Sequence, residues 1–393
     1  MAYAFDAEDV AFLRSPEGVR ALDEVAELPL TSSSRLADTG TARAVAGRRF
    51  APAVLETVAL RRRAAAKLED AGRWLFTDSA LQQATATPVA RHRAARLAGR
   101  DVHDVTCSIG ADLVELAPVA GRCLGSDRDG VRLSMARANL AARDTEAGLV
   151  RADALHPVTT TAAVVADPGR RDDSGRRRWD PDALEPPLRE LLTTYRGRDL
   201  VVKCAPGLDF DAIPKTAEVE LVSLGGQVRE ASVWLGGLAT PGVGRAATVL
   251  GADGVPVLRI TDAEPDDCPV RAPGRWLVDP DGAVVRAGLV RQYAARHGLG
   301  QLDHRIAYLT GETPPPGVRA FRVLDQSAYG EKNLRALLRR HEVGRLEILV
   351  RGVDVDPDAL RRRMRLSGTE AATLVLTRIG DRPTALLCRA ELT

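Results

Sequence analysis

Hydrophobic spacing divides this chain near residue 100. Before that point apolar residues recur every three or four positions with charges between them, most clearly over 52–75 (PAVLETVALRRRAAAKLEDAGRWL). No alternating stretch interrupts this pattern, which predicts helices. A polar break falls at 31–40. Beyond residue 100, short apolar runs at 101–106 (DVHDVT), 122–127 (RCLGSD), 149–152, 160–166 (TTAAVVA) and 199–204 (DLVVKC) read as strands. Helical patterns at 111–120, 130–143 and 182–195 lie between them. That alternation predicts a parallel α/β sheet with helices on both faces. Further strands at 218–224, 229–235 and 246–250 come without a long helix between them, so a hairpin is expected at one edge of the sheet.

Residues 260–274 are polar and rich in proline and aspartate, and read as a linker. A helix is expected at 281–297 and a second break at 311–317 (GETPPPG). The remainder forms a compact α/β pattern, with strands at 319–324, 345–350, 372–379 and 384–389 and helices at 331–341 and 357–366. The expected division is a helical domain over 1–98, a sheet domain over 99–255, a connecting segment over 256–317 and a small α/β domain over 318–393.

Composition narrows the function classes. A chain of 393 residues is long for a single core. No apolar run approaches the ~18 residues of a membrane span, and the start MAYAFDAEDV lacks a basic-then-apolar leader, so a cytoplasmic protein without membrane partners is expected. The five cysteines are scattered with no C-x-x-C pair, and the six histidines show no ligand spacing. Neither a disulfide framework nor a metal site is expected. Net charge is +2, too small to announce nucleic-acid binding. Lysine occurs only at Lys67, Lys203, Lys215 and Lys332, so arginine supplies 51 of the 55 basic residues. Arginine's planar fork suits phosphates.

In an open α/β sheet, ligands bind beyond the carboxyl ends of the strands. Four strand ends here carry polar chemistry in succession. The first is Asp104-Val105-Thr106-Cys107-Ser108-Ile109-Gly110-Ala111-Asp112, whose small residues permit a tight turn with approachable backbone N–H groups. It contains no G-x-G-x-x-G, which argues against a nicotinamide dehydrogenase. The second is Asp127, with Arg128 beside it, about 20 residues on and placed to accept ribose hydroxyls; Asp129 reads as the cap of the next helix. Alone, Asp127 would read as a cap or surface residue. The third is Asp153-Ala154-Leu155, an acid and apolar pair suited to an adenine, or else an ordinary loop. The fourth is Asp167-Pro168-Gly169-Arg170-Arg171, where proline stiffens the strand end and two arginines could clamp an anion. Lys203 ends a central apolar strand and needs a partner if buried; Asp167 or an anionic substrate would serve. Gln83 and Thr85 lie just before the first strand, where a segment could fold over a ligand or simply start a helix.

The succession DVTCSIGAD, GSDRD, ADAL, ADPGRR, VVKCAPGLD resembles class I S-adenosylmethionine (SAM)-dependent methyltransferases. The chain is most similar to a bacterial group with a helical N-terminal region, and residues 329–389 resemble that group's C-terminal THUMP-like domain. The resemblance implies a Rossmann-like methyltransferase sheet and SAM as cofactor. It implies Asp104, Cys107, Ser108 and Gly110 on the methionine side, Asp127 on the ribose, and Asp153 with Ala154 at the adenine. It implies Asp167 and Pro168 at the acceptor, and in similar proteins the segment holding Gln83 and Thr85 folds over the cofactor. The residue types themselves suggest that Arg170, Arg171 and Lys203 position a phosphate of the acceptor. THUMP domains bind RNA, so tRNA or rRNA is the implied partner, with a base nitrogen as acceptor. Relatives acting on exocyclic base amines often carry an aromatic after Asp-Pro-Pro; Asp167-Pro168-Gly169-Arg170 has none. Methylation of a small molecule or protein, or SAM binding without efficient transfer, are the alternatives left open.

Overall fold

The protein is described from a computed structural model covering residues 3–170 and 184–392. It comprises two compact units, Met1–Gly244 with Val249–Leu258, and Arg245–Thr248 with Arg259–Thr393.

The first unit opens with helices α1 (Ala7–Arg14), α2 (Pro16–Ala26), α3 (Arg35–Ala64), α4 (Asp78–Gln83) and α5 (Thr87–Arg96). The expected polar break at 31–40 is largely the start of α3. Ser34 donates to Asp38 at 2.6 Å, and Asp38 accepts the Leu30 N–H at 3.1 Å. These bonds fasten the short stretch ahead of α3 onto its first turn, although Ser34 makes no side-chain capping bond. Gly47, at φ +69°, kinks α3.

The sheet strands are β1 (Val102–Asp104), β2 (Cys123–Asp127), β3 (Gly148–Arg151), β4 (Ala163–Ala166), β7 (Leu200–Cys204), β8 (Glu218–Leu224), β9 (Gln227–Leu235), β10 (Arg245–Leu250) and β11 (Pro256–Thr261). A separate two-stranded ladder pairs β5 (Gly169–Arg170) with β6 (Leu184–Glu185). The sheet order is β11-β10-β8-β9-β7-β4-β1-β2-β3. β1 to β4 and β7 run parallel, while β9 pairs antiparallel with both β7 and β8. β4 is buried along its whole length, as expected for a strand covered on both faces. Strand order reverses between β1 and β4, which opens the crevice at their carboxyl ends. Helices α6 (Leu113–Leu116), α7 (Gly130–Ala142) and α8 (Leu188–Thr194) complete the unit.

The helical N-terminal region is not a separate body. Val54, Val58, Leu60, Trp74 and Phe76 share one core with Ile109, Leu113, Met135 and Leu140. Fully buried Asn139 of α7 fastens the join: its side-chain oxygen accepts the Leu75 N–H at 2.7 Å, and its amide donates to the carbonyls of Leu75 (3.0 Å) and Ile109 (2.9 Å).

Residues 256–317, expected as a connecting segment, instead carry ordered elements. They contain β12 (Trp276–Val278), α9 (Gly282–Arg286), α10 (Val290–Arg296), β13 (Gly300–Asp303) and β14 (Ile306–Gly311). Proline- and glycine-rich joints hide strands only three to six residues long. The single helix expected at 281–297 is two helices, because Gly288 turns the chain at φ +72°. With β15 (Arg319–Ala328), β16 (Val343–Val350), β17 (Glu370–Ile379) and β18 (Arg382–Leu392), they build a seven-stranded sheet ordered β13-β14-β12-β15-β18-β17-β16. Strand alternation decides its faces. Leu374, Leu376, Ala385 and Leu387 pack under α11 (Glu331–Arg340) and α12 (Pro357–Met364). Val375, Leu386 and Cys388 face Leu277, Leu302, Tyr308 and Phe321.

Candidate active site

Two cavities lie in the first unit. One, of about 490 Å³, sits beyond the ends of β1, β2 and β4. Asp104 closes β1, almost wholly buried, and accepts the Thr106 N–H at 3.1 Å. Burial pushes its carboxyl well above the ordinary value, with Asp112 and Asp167 adding to the shift and the Thr106 N–H opposing it. The turn that follows is tight. Ser108 adopts φ +49° and donates its N–H to Asp127 at 2.9 Å. The other Asp127 oxygen accepts the Asp129 N–H at 2.9 Å, so backbone donors aim this carboxylate into the cavity. Asp129 in turn caps α7 by accepting from Val131 and Arg132.

Cys107, Ser108, Asp127, Arg128, Asp153 and Ala154 all line this cavity. Arg128 lies 3.6 Å from Asp153 and donates to Glu185 at 3.1 Å, so it bridges two rims. Gly110 is not among the lining residues. Its N–H donates to the Cys107 carbonyl at 2.8 Å, and its φ is +81°. A Cβ there would meet the Ala136 Cβ at 3.2 Å. Glycine is needed for that backbone conformation and for the close approach of α7.

The second cavity, of about 1120 Å³, adjoins the first. Gln83, Ala84, Asp167 and Gly169 line both. Thr85, Pro168 and Lys203 line only the second. The Arg170 side chain and Arg171 lie outside the described residues. Asp167 is fixed from two directions: its N–H donates to the Thr106 hydroxyl at 2.6 Å, and its carboxylate accepts from the Lys203 ammonium at 2.6 Å. Lys203 also donates to the Thr85 hydroxyl (2.9 Å) and the Gln83 carbonyl (3.1 Å). Burial raises the Asp167 carboxyl despite Lys203, which pulls it down. Burial also lowers Lys203, but Asp167, Glu230 and Asp112 outweigh it, and the ammonium is held firmly charged.

Behind this pair runs a buried network that the sequence reading does not anticipate. Thr85 donates to Asp112 at 3.0 Å, and Arg93 of α5 bridges Asp112 and Glu230. On the same helix His92 meets Glu220 at 2.9 Å, while Arg96 meets Glu218 (2.9 Å) and Glu220 (2.7 Å). Trp234 donates its indole N–H to Glu220 at 3.0 Å. The available signals were the i, i+1, i+4 cluster His92, Arg93, Arg96 and the acids Glu218 and Glu220 spaced two apart on an apolar strand.

Among the described residues no His/Cys/Asp/Glu cluster could hold a metal ion, and no helix is long and apolar enough to cross a membrane.

Residues 318–390 match the THUMP domain-like family, and residues 6–64 match a domain of unknown function. A crystal structure of a proposed methyltransferase from Porphyromonas gingivalis W83 shares the fold at a TM-score of 0.73 and 20% identity, covering 98% of this chain and 99% of that one. Two proteins of Mycobacterium tuberculosis, from strains CDC 1551 and H37Rv, are each 56% identical over 352 residues, 86% of this chain and 97% of theirs. Both are described as uncharacterized S-adenosylmethionine-dependent methyltransferases. Identity of that depth over nearly the whole of both relatives, on a sheet with polar residues at successive strand ends, makes this chain a member of the S-adenosylmethionine-dependent methyltransferases.

Proposed function

We propose that this enzyme methylates a nitrogen of a tRNA or rRNA base, taking SAM into the smaller cavity and the base into the larger one. The observation that carries the reading is Asp167, whose carboxylate stands in the wall common to both cavities and is held there by Lys203. The smaller cavity suits SAM chemically. Asp104, raised by burial and by the neighbouring Asp112 and Asp167, gains from a cationic group placed beside it. In this reading Asp127 accepts the ribose hydroxyls, Asp153 and Ala154 meet the adenine, and Cys107 and Ser108 flank the methionine portion. Gln83, which lines both cavities, stands where donor and acceptor meet. Bound there, SAM supplies a methyl group on a sulfonium leaving group.

The chain's own contribution is alignment and proton handling. Displacement at the methyl carbon needs the acceptor held close and in line. Asp167 orients the acceptor nitrogen and takes its proton, and Lys203 fixes the carboxylate's direction. Lys203 stands on the side of the acceptor's phosphate.

The THUMP domain-like match favours RNA. A small-molecule acceptor is the second reading, favoured by the pairing of basic side chains on that unit: Arg361 with Asp358, Arg363 with Glu331 and Arg340 with Asp325. Tritium transfer from labelled SAM to total RNA of a strain lacking the gene, followed by nucleoside analysis, tests the proposal. Labelled methylnucleoside in tRNA or rRNA is expected. Label confined to a small-molecule fraction would replace RNA with the second reading.

A further inference from the structure

Two of the chain's four lysines, Lys67 and Lys203, line the larger cavity. With Arg229 they place three cations on its wall, against three acids, Glu69, Asp167 and Glu230. The acids are already engaged. Asp167 holds Lys203 at 2.6 Å, Glu69 pairs with Arg91 at 2.8 Å, and Glu230 pairs with Arg93. Lys67 and Arg229 make no carboxylate contact among the described residues. Lys67 donates to the carbonyls of Leu81 (3.0 Å) and Gln82 (3.1 Å), and Arg229 donates to the Leu224 carbonyl at 3.3 Å.

The backbone delivers Arg229 on purpose. β8 and β9 are joined through Gly225 and Gly226, both at positive φ (+62° and +72°), which set the register Leu224↔Gln227. Val228 then pairs with Ser223 and Glu230 with Val222, so Arg229 is the extra residue of a β-bulge. Neighbours along a regular strand face opposite sides. Here Arg229 and Glu230 both line one cavity, the re-aiming that a bulge produces.

From this pairing and this backbone we infer that Lys67 and Arg229 form an anion-binding subsite in the larger cavity, which takes a phosphate of the methyl acceptor. The charge environment agrees: burial pulls the Lys67 ammonium down, Lys203 and Arg229 pull it further, and Asp167 and Asp112 only partly oppose them, so a bound anion would hold it charged. The inference rests on the larger cavity being the acceptor's place, and deepens it by requiring a phosphorylated acceptor.

The test titrates inorganic pyrophosphate into the full-length protein saturated with S-adenosylhomocysteine, read by calorimetry at low salt. The wild type is expected to bind one pyrophosphate. R229Q and K67M are each expected to bind it about tenfold more weakly, the loss of one charge-assisted hydrogen bond, while K67R stays near wild type. S-adenosylhomocysteine affinity measured first in each variant shows whether it has folded. No binding to the wild type, or equal binding by R229Q and the wild type, would overturn the subsite. Competitive inhibition of RNA methylation by pyrophosphate assigns the phosphate to the RNA backbone. Binding with no RNA methylation assigns it to a free phosphorylated metabolite, which removes the RNA reading and leaves the subsite standing.

Discussion

At the scale of single residues, Asp127 and Asp167 have opposite tasks. Asp127 is ordered by two backbone N–H groups and faces only the smaller cavity. Asp127→Ala is expected to weaken SAM binding by about 1.5–3 kcal/mol, roughly 10- to 150-fold, since hydrogen bonds to a charged acceptor are lost; calorimetry measures this directly. Asp167→Ala should leave SAM affinity within about threefold of wild type and reduce methyl transfer by about 100-fold or more, the usual worth of a positioned base. Full activity in that variant would remove Asp167 from the chemistry. Its pH signature follows from the same contacts. Burial raises the carboxyl and Lys203 lowers it. The acid limb of kcat/KM should therefore lie above the ordinary aspartate value of about 3.9, with activity falling as pH drops through it. Lys203→Met removes the opposing cation, so the limb should move to still higher pH.

His103 supplies a stability counterpart. Its ring nitrogens meet Thr159 (3.0 Å) and Ser126 (2.9 Å), and burial with the nearby Arg198 depresses it from 6.5 to about 4. The unfolded chain binds this proton first on acidification. Stability from this residue is therefore complete above about 6.5 and falls as pH drops from about 6.5 to about 4. Urea midpoints measured at pH 7 and pH 5 should converge in His103→Asn relative to wild type.

At the scale of elements, α5 and the β8–β9 pair form a buried sandwich of opposite charges. Removing one partner of a buried pair strands the others. Arg93→Met leaves Asp112 and Glu230 uncompensated and should cost about 3–5 kcal/mol in urea denaturation, with Glu230→Gln restoring part of the loss in the double variant. The strand ends of the site were legible in the sequence because each is an acid after a short apolar run, a local pattern. The α5 network was not. A helix with cations at 92, 93 and 96 reads as a solvated face, and glutamates at 218 and 220 read as the wet side of an edge strand; only their meeting across the fold buries both. Gly110 does not line the smaller cavity, and its positive φ and the close approach of α7 are what call for glycine there.

At the scale of the molecule, the second unit is larger than the THUMP domain-like match, because strands β12 to β14 precede residue 318 and enter its sheet. Short strands between proline-rich joints leave little periodicity, which is why the sequence reads this stretch as a connector. If RNA is the acceptor, its affinity should fall steeply with salt. Arg362 and Arg365 are exposed at the C-terminal end of α12, and replacing both with alanine should then raise KM for RNA and flatten that dependence without lowering kcat at saturating RNA.

Residue 98, where the hydrophobic pattern changes, is an attractive place to cut the gene. Asn139 argues against it. Its one amide group satisfies backbone atoms on both sides of that point, and a fragment starting there would keep an α7 whose inner face has lost its covering. Such a fragment should reach the insoluble fraction on expression, because the N-terminal helices and the sheet share one core.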